Sequence, residues 1–304
     1  MVMIKRVLAL LGSGALAILL LRQAETAAQA VRDGIQLCLT SVIPALFPFF
    51  AVSSLLVALG AAEAAGRVLA HPFGRLFRCG GAGCAALLLG LVGGYPVGAR
   101  TAAELVRRGE LSPAEGARLL TFCNNAGPAF AIGVAGVSVF GSARTGAWLY
   151  LLHCAAALLT GLLFCRRPLP VTAMPKRPVP PQTGLTGQFL RAVEGAVSAM
   201  ARVCGFVVFF LVLLRLAEGL IGPLPPLAAG VLELTNGILR LTPDRRGFVT
   251  AAALLGWGGL SVHCQTAAVT AGSGISLRLY LPAKAVQAAL SAGLAALLAP
   301  YLLP

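Results

Sequence analysis

Long stretches without a charged residue are the feature that most restricts how this chain can fold. Six stretches of 20 to 31 residues carry no charge: residues 34–62, 79–99, 119–143, 145–165, 247–277 and 285–304. A helix of about 20 apolar residues crosses the hydrocarbon core of a bilayer. Soluble domains contain about 25% charged residues, whereas this chain contains 11% and has a mean hydropathy of +0.87. The sequence therefore predicts an all-α polytopic membrane protein that contacts the lipid bilayer, with Val7–Leu21 and Val203–Ile221 as further candidate spans.

The basic residues predict the orientation of the spans and exclude one class of partner. The formal net charge is +14, and the Lys and Arg residues lie in short loops between apolar runs, which is the positive-inside pattern of cytoplasmic loops. They form no basic surface with interleaved aromatic residues, so a nucleic-acid partner is not expected. The eight cysteines form no CxxC pair and the three histidines are far apart. No metal or other cofactor is therefore predicted.

Composition divides the chain into four parts. Residues 1–30 form an N-terminal membrane segment, which is either a retained first span or a cleaved signal peptide. Residues 31–165 and 189–304 are predicted to be two repeats. Residues 166–188 are rich in proline and basic residues, which predicts an extended cytoplasmic linker between them.

The repeat prediction depends on one pair of glycines. Gly93-Gly94 aligns with Gly258-Gly259, and the similarity continues for some ten residues beyond them; chance similarity between apolar segments is the alternative. The loop at 106–115 is charged and its counterpart at 271–276 is not. Because charged loops favour the cytoplasmic side, this contrast predicts two repeats of inverted topology, as in many secondary transporters.

Four segments interrupt the apolar runs with Gly, Pro and amide or hydroxyl residues: Gly93–Arg100, Phe122–Phe130, Glu233–Gly237 and Gly256–Gln265. Gly and Pro disfavour continuous helix. At membrane depth, non-helical backbone persists only where it is buried in protein or lines a cavity. The sequence therefore predicts broken or re-entrant helices around a solute site, a transporter-like arrangement.

These segments supply the candidate site residues. The substrate-binding candidates are Gly94, Tyr95, Pro96, Arg100, Asn124, Asn125, Asn236, Gly259, Ser261, His263 and Gln265. Adjacent carboxamides in an uncharged run need partners, so Asn124 and Asn125 are the strongest signal, with helix–helix hydrogen bonding as the alternative.

The charged and histidine candidates have two interpretations each. Arg100 could bind an anion through two hydrogen bonds or simply mark a cytoplasmic helix end. Glu233, with Thr235, could take up a coupling cation or proton, or be an interfacial carboxylate. His263 could bind solute or donate a hydrogen bond in helix packing. No motif of nucleophilic or metal catalysis is present, so an intramembrane enzyme is a weaker reading than a carrier.

The sequences GGYPVGA, FCNNAGPAF, ELTNG and GGLSVHCQ, in this order, resemble the YlbJ family of sporulation integral membrane proteins, in the nucleoside-recognition (Gate) group. The resemblance implies a carrier in a bacterial cell membrane, at the outer forespore membrane, with the small anion dipicolinate as its cargo. From two repeats of broken and spanning helices we expect transport by alternating access. Two alternatives stay open: a nucleoside or other organic-anion transporter of the Gate group, and a non-transporting sporulation factor. A homo-oligomer is also left open.

Overall fold

A computed structural model describes residues 2–59, 61–79, 81–166 and 184–302, and all regular secondary structure in these ranges is helical. The α-helices are α1 (Val2–Arg22), α2 (Ala24–Leu37), α3 (Ile43–Ala58), α4 (Ala61–Phe77), α5 (Gly83–Gly93), α6 (Val97–Arg107), α7 (Pro113–Leu120), α8 (Ala143–Phe164), α9 (Leu185–Ile221), α10 (Pro226–Leu232), α11 (Leu234–Leu239), α12 (Arg245–Trp257), α13 (Gly259–Thr270) and α14 (Tyr280–Leu302). Two π-helical segments are π1 (Cys38–Val42) and π2 (Ala129–Val139). The all-α prediction is confirmed.

Residues 167–183 of the predicted linker lie outside the described residues. Its last residues are helical, because α9 begins at Leu185.

Four helices in the described ranges are long and apolar enough to cross a membrane: Ala143–Phe164, Leu185–Ile221, Arg245–Thr270 and Tyr280–Leu302. A fifth candidate is a pair of helices, Arg6–Arg22 and Ala24–Val42, that meet at 93°. Two of the uncharged stretches, 79–99 and 119–143, form no single long helix. Each contains one of the predicted interruptions, so sequence length alone overcounted the spans.

Two pairs of short helices fold back on themselves as hairpins. In the first hairpin, α5 and α6 pack side by side, and a Cβ added to Gly90 would lie 2.9 Å from the Cα of Gly98. Gly94 to Pro96 form its tip, where Gly94 has a φ of +75°. In the second hairpin, α10 and α11 pack in the same way around Glu233, and a Cβ on Gly237 would clash with the backbone of Gly230. Only glycine permits these close backbone approaches.

Each hairpin is followed by a helix that is interrupted without folding back. The first is α7 and π2, separated by the non-helical residues 121–128, and the second is α12 and α13, which kink at Gly258. At one end of the molecule, the Arg107 guanidinium donates to the carbonyl oxygens of Val269 (2.9 Å) and Ala271 (3.1 Å), next to the start of α7. At the other end, the Phe140 ring after π2 contacts the ring of Phe248 near the start of α12. The two interrupted helices therefore run in opposite directions.

This geometry corrects the argument for inverted repeats. The loops at 106–115 and 271–276 are in contact through Arg107, so the prediction that they lie on opposite sides is wrong. The aligned glycine pairs are not equivalent either, since Gly94 is at a hairpin tip and Gly258 is a kink inside a spanning helix. Both halves contain a hairpin followed by an interrupted helix, and the two interrupted helices run in opposite directions. That the two halves are repeats stays a prediction. The predicted repeat boundaries stay a prediction.

A close crossing of π2 and α8 fixes the first interrupted helix. A Cβ added to Gly136 would lie 2.5 Å from the Cα of Gly146, whereas one added to Gly133, one turn earlier on π2, would meet nothing within 4 Å. The helices can approach this closely because both crossing residues lack a side chain.

We therefore expect Gly136→Ala to destabilise the protein by about 2 kcal/mol through overpacking. The matched control Gly133→Ala should be neutral or slightly stabilising, since alanine favours helix and the space is open. Thermal unfolding of the two detergent-purified variants, followed by a thiol-reactive dye or circular dichroism, measures the difference. Equal unfolding temperatures for both variants would contradict the crossing.

Candidate functional site

The hairpin tips and the helix interruptions meet at one buried cavity, which we call the central cavity. Both hairpins contribute their tips, and both interrupted helices contribute the residues at their breaks. The lining residues are Val42, Leu46, Gly94, Tyr95, Ala126, Gly127, Phe130, Val203, Val207, Glu233, Leu234, Thr235, Ser261, Val262 and Gln265. Its volume is about 50 Å³, enough for a few water molecules.

Each interruption leaves a helix C-terminal end whose carbonyl oxygens have lost their helical partners. In three cases a neutral side-chain donor from another element satisfies such a carbonyl. The Tyr150 hydroxyl donates to Leu91 O at the end of α5 (3.0 Å), the Trp257 indole N–H donates to Val231 O at the end of α10 (3.2 Å), and the Tyr95 hydroxyl donates to Leu255 O at the end of α12 (2.9 Å). The protein itself thus satisfies the negative ends of these helix dipoles.

The unwound stretch after α7 also contains a carbonyl with a side-chain donor, although it is not at a helix end, and this donor is a lysine. The Lys284 ammonium donates to the backbone carbonyl of Asn124 and to the Gln287 side-chain oxygen (2.8 Å). Gln287 in turn donates to the Asn125 side-chain oxygen (2.9 Å). All four side chains are fully buried.

Asn124 connects the same stretch to α13 and α14. Its amide donates to the Thr266 hydroxyl (2.8 Å) and to the Tyr280 hydroxyl (3.2 Å). The Tyr280 hydroxyl also contacts the Nδ1 atom of His263 (3.3 Å). The two adjacent asparagines therefore fix the unwound stretch between two spanning helices, which is the structural part of their role.

The N-terminal ends at the four interruptions face the cavity. Residues just before or within the first turn of α6, π2, α11 and α13 line it: Gly94 and Tyr95, Ala126 and Gly127, Leu234 and Thr235, and Ser261 and Val262. Helix N-termini carry partial positive charge and free N–H groups, so they attract anions. The α11 end is already capped by the Glu233 carboxylate, which accepts from the Asn236 backbone N–H (2.8 Å) and side-chain amide (2.8 Å).

Two buried polar atoms at the second interruption have no hydrogen-bond partner among the described residues. They are the Ser261 hydroxyl and the Nε2 atom of His263. Ser261 lines the cavity and is completely buried. A buried polar atom left unpaired costs about 1–3 kcal/mol, so a hydroxyl of this kind beside a cavity is a candidate contact for a bound molecule.

The structure brings most of the predicted site residues together, in two layers. The central cavity is lined by Gly94, Tyr95, Glu233, Thr235, Ser261 and Gln265. Asn124, Asn125 and His263 form the hydrogen-bonded layer behind it. Pro96, Asn236 and Gly259 lie in or next to the breaks without lining the cavity. Their roles in binding stay predictions.

Arg100 lies apart from this site. It is exposed on α6, and its guanidinium is directed toward α9, 3.5 Å from where a Cβ on Gly195 would be. It does not line the cavity.

Sequence reasoning missed Lys284, Gln287, Tyr280, Trp257 and Tyr150. Lys284 directly precedes the uncharged stretch 285–304, so the charge pattern marks it only as the flank of a span. The available signal was the pair Lys284 and Gln287, which share one face of a helix at i and i+3 in an otherwise apolar segment. The aromatic donors had no local signal, because their acceptors are on other helices.

The fold and the cavity define a polytopic integral membrane protein with paired hairpins around a polar centre. Residues 39–144 match the Gate family, described as nucleoside recognition; this segment contains the first hairpin and the Asn124–Asn125 stretch. The chain is 27% identical, over 310 aligned residues, to the sporulation integral membrane protein YlbJ of Bacillus subtilis (strain 168), and the alignment covers 85% of this chain and 74% of that protein. No solved structure matches. The resemblance to YlbJ and the Gate group is confirmed.

The Tyr280 hydroxyl has a matched control on its own helix. We expect Tyr280→Phe to destabilise the protein by about 1 kcal/mol or more, because Asn124 and Thr266 lose a buried hydrogen-bond partner. Tyr301→Phe makes the same change at an exposed position on α14 and should leave the unfolding temperature unchanged. Thermal unfolding in detergent compares the two. Identical unfolding temperatures would show that the Tyr280 hydroxyl does not stabilise the network.

Proposed function

We propose that this chain is a carrier of a small organic anion, and that its cargo is dipicolinate, moved across the outer forespore membrane into a developing spore. The observation that carries the proposal is the asymmetry of the helix ends. At the interruptions, carbonyl ends receive hydrogen bonds from the protein's own side chains, while N-terminal ends face the central cavity. Helix N-terminal ends placed in this way attract carboxylates.

The polar side chains that line the cavity fit the same ligand. The Ser261 hydroxyl and the Gln265 amide line the cavity and can donate hydrogen bonds to carboxylate oxygens. An aromatic dicarboxylate also has a flat apolar face, which the side chains of Phe130 and Val262 can cover. The name of the Bacillus subtilis relative connects that protein with sporulation, and this connection supports the spore as the destination of the cargo.

The cavity volume supports alternating access. Sites for small organic molecules have volumes of about 300–1,000 Å³, and this cavity has about 50 Å³. A solute can bind only if the hairpin tips move away from the interrupted helices. Two hairpins that approach from opposite ends provide one gate toward each side of the membrane.

Glu233 is the element we assign to coupling. Its buried carboxylate faces the cavity from the tip of the second hairpin, next to Thr235. An ionised Glu233 would repel an anionic solute at close range, so a proton or a cation must neutralise it when the solute binds. Uptake of the anion together with a proton or cation follows from this arrangement.

A nucleoside is the second candidate cargo, because the matching family is described as nucleoside recognition. A nucleoside is neutral and would gain less than a carboxylate from the three N-terminal ends that Glu233 does not cap. The remaining alternative is a membrane factor in sporulation that transports nothing.

Proteoliposomes containing the purified full chain test the proposal. We expect saturable uptake of radiolabelled dipicolinate, inhibited by unlabelled dipicolinate and not by uridine or adenosine. Uptake inhibited by nucleosides would favour the second candidate. Absence of uptake for both solutes, with correctly folded protein, would favour the non-transporting factor.

Ser261 provides a direct probe of the site. We expect Ser261→Ala to raise the half-saturation concentration for dipicolinate about tenfold, the loss of one hydrogen bond to a charged group. Ser291→Ala removes another fully buried hydroxyl that also has no partner among the described residues, but Ser291 does not line the cavity. This control should transport normally. Equal effects of the two substitutions would place the solute elsewhere.

A further inference from the structure

Lys284 is a fully buried lysine in a spanning helix, and its side chain contacts no carboxylate among the described residues. It has no exposed surface, and the ion pairs found among the described residues do not include it. Its contacts are two neutral oxygens, Asn124 O and the Gln287 side-chain oxygen, and the ring of Tyr95, whose centroid lies 5.4 Å from the ammonium nitrogen. A charge buried in this way is strongly unfavourable unless another charge balances it.

The carbonyl of Asn124 does not by itself explain a lysine at this position. The three helix C-terminal carbonyls at the other interruptions receive hydrogen bonds from neutral tyrosine and tryptophan side chains. Those donors show that a neutral side chain is sufficient to satisfy such a carbonyl. The positive charge of Lys284 therefore needs a reason beyond hydrogen bonding.

The position of the ammonium relative to the cavity supplies that reason. Tyr95, whose ring it contacts, lines the central cavity, and so does Ala126, two residues after the Asn124 carbonyl. One aromatic ring and one stretch of backbone thus separate the charge from the space where a solute would bind. In a low-dielectric interior, a charge at such a separation still acts strongly on another charge.

We propose that Lys284 is the fixed positive charge that makes the central cavity selective for anions. It acts through space, without touching the solute, and is therefore a specificity-determining residue. The inference rests on the proposed function and deepens it, because it names the group that balances the carboxylate charge of the cargo.

The test compares a charged and a neutral ligand of the same shape. Dipicolinate and its neutral diamide, pyridine-2,6-dicarboxamide, compete for uptake into proteoliposomes containing the full chain. We expect Lys284→Met to weaken dipicolinate at least tenfold, about the loss of one nearby charge, and to change the diamide less than about twofold. Lys284→Arg retains the charge and should preserve the ratio of the two affinities.

Gln287→Met is the matched control. It also breaks the hydrogen bond between Lys284 and Gln287 and lies on the same buried face of α14, but it leaves the charge in place. It should weaken both ligands by similar factors. If Lys284→Met likewise weakens both ligands equally while the wild type transports dipicolinate, the role of Lys284 is overturned and the proposed function stands. If the wild type transports no dipicolinate, the proposed function fails first.

The wild-type protein gives a second test that needs no substitution. Salt screens exposed charges and screens buried ones far less. The preference of the wild type for dipicolinate over the diamide should therefore change less than about twofold between about 0.05 M and about 0.5 M salt. A preference that disappears at high salt would assign anion selectivity to exposed arginines and overturn the proposal, even if Lys284→Met failed to fold.

Discussion

The structure depends on the satisfaction of backbone hydrogen bonds inside a membrane. Lipid offers no donors or acceptors, so a helix interrupted at membrane depth needs protein partners for its free ends. Here the helix C-terminal carbonyls are satisfied by Tyr95, Tyr150 and Trp257, and a carbonyl of the unwound stretch after α7 is satisfied by Lys284. These bonds attach each interruption to a neighbouring element, and so they hold the hairpins and the broken helices around one centre.

The same requirement determines the electrostatics of the centre. Because the carbonyl ends are satisfied by side chains, the helix ends that a solute would meet in the cavity are N-terminal ends. The single buried carboxylate among the described residues, Glu233, caps one of those ends, and the buried lysine lies behind the opposite hairpin tip. In the carrier that we propose, this arrangement distinguishes solutes by charge, although most of the cavity wall is apolar.

Sequence reasoning found the interruptions because their signal is local. Gly, Pro and amide residues inside an uncharged run mark a break, and the segments around Tyr95, Asn124, Glu233 and Gly258 all contain one. It could not tell a hairpin from a kink, because that distinction depends on whether two short helices pack together. The alignment of Gly93-Gly94 with Gly258-Gly259 failed for this reason, and the comparison of loop charges failed because it ignored which loops are in contact.

The sequence by itself determined that the chain lies in a membrane and where its helices are interrupted. Both follow from the transfer of each residue into lipid and from local backbone preference, which add up along the chain. Only the tertiary structure decided which helix ends meet and which donor satisfies which carbonyl. Lys284 and the Asn124 carbonyl are 160 residues apart, and no local property of either residue specifies that contact. The polar centre is made of such long-range contacts.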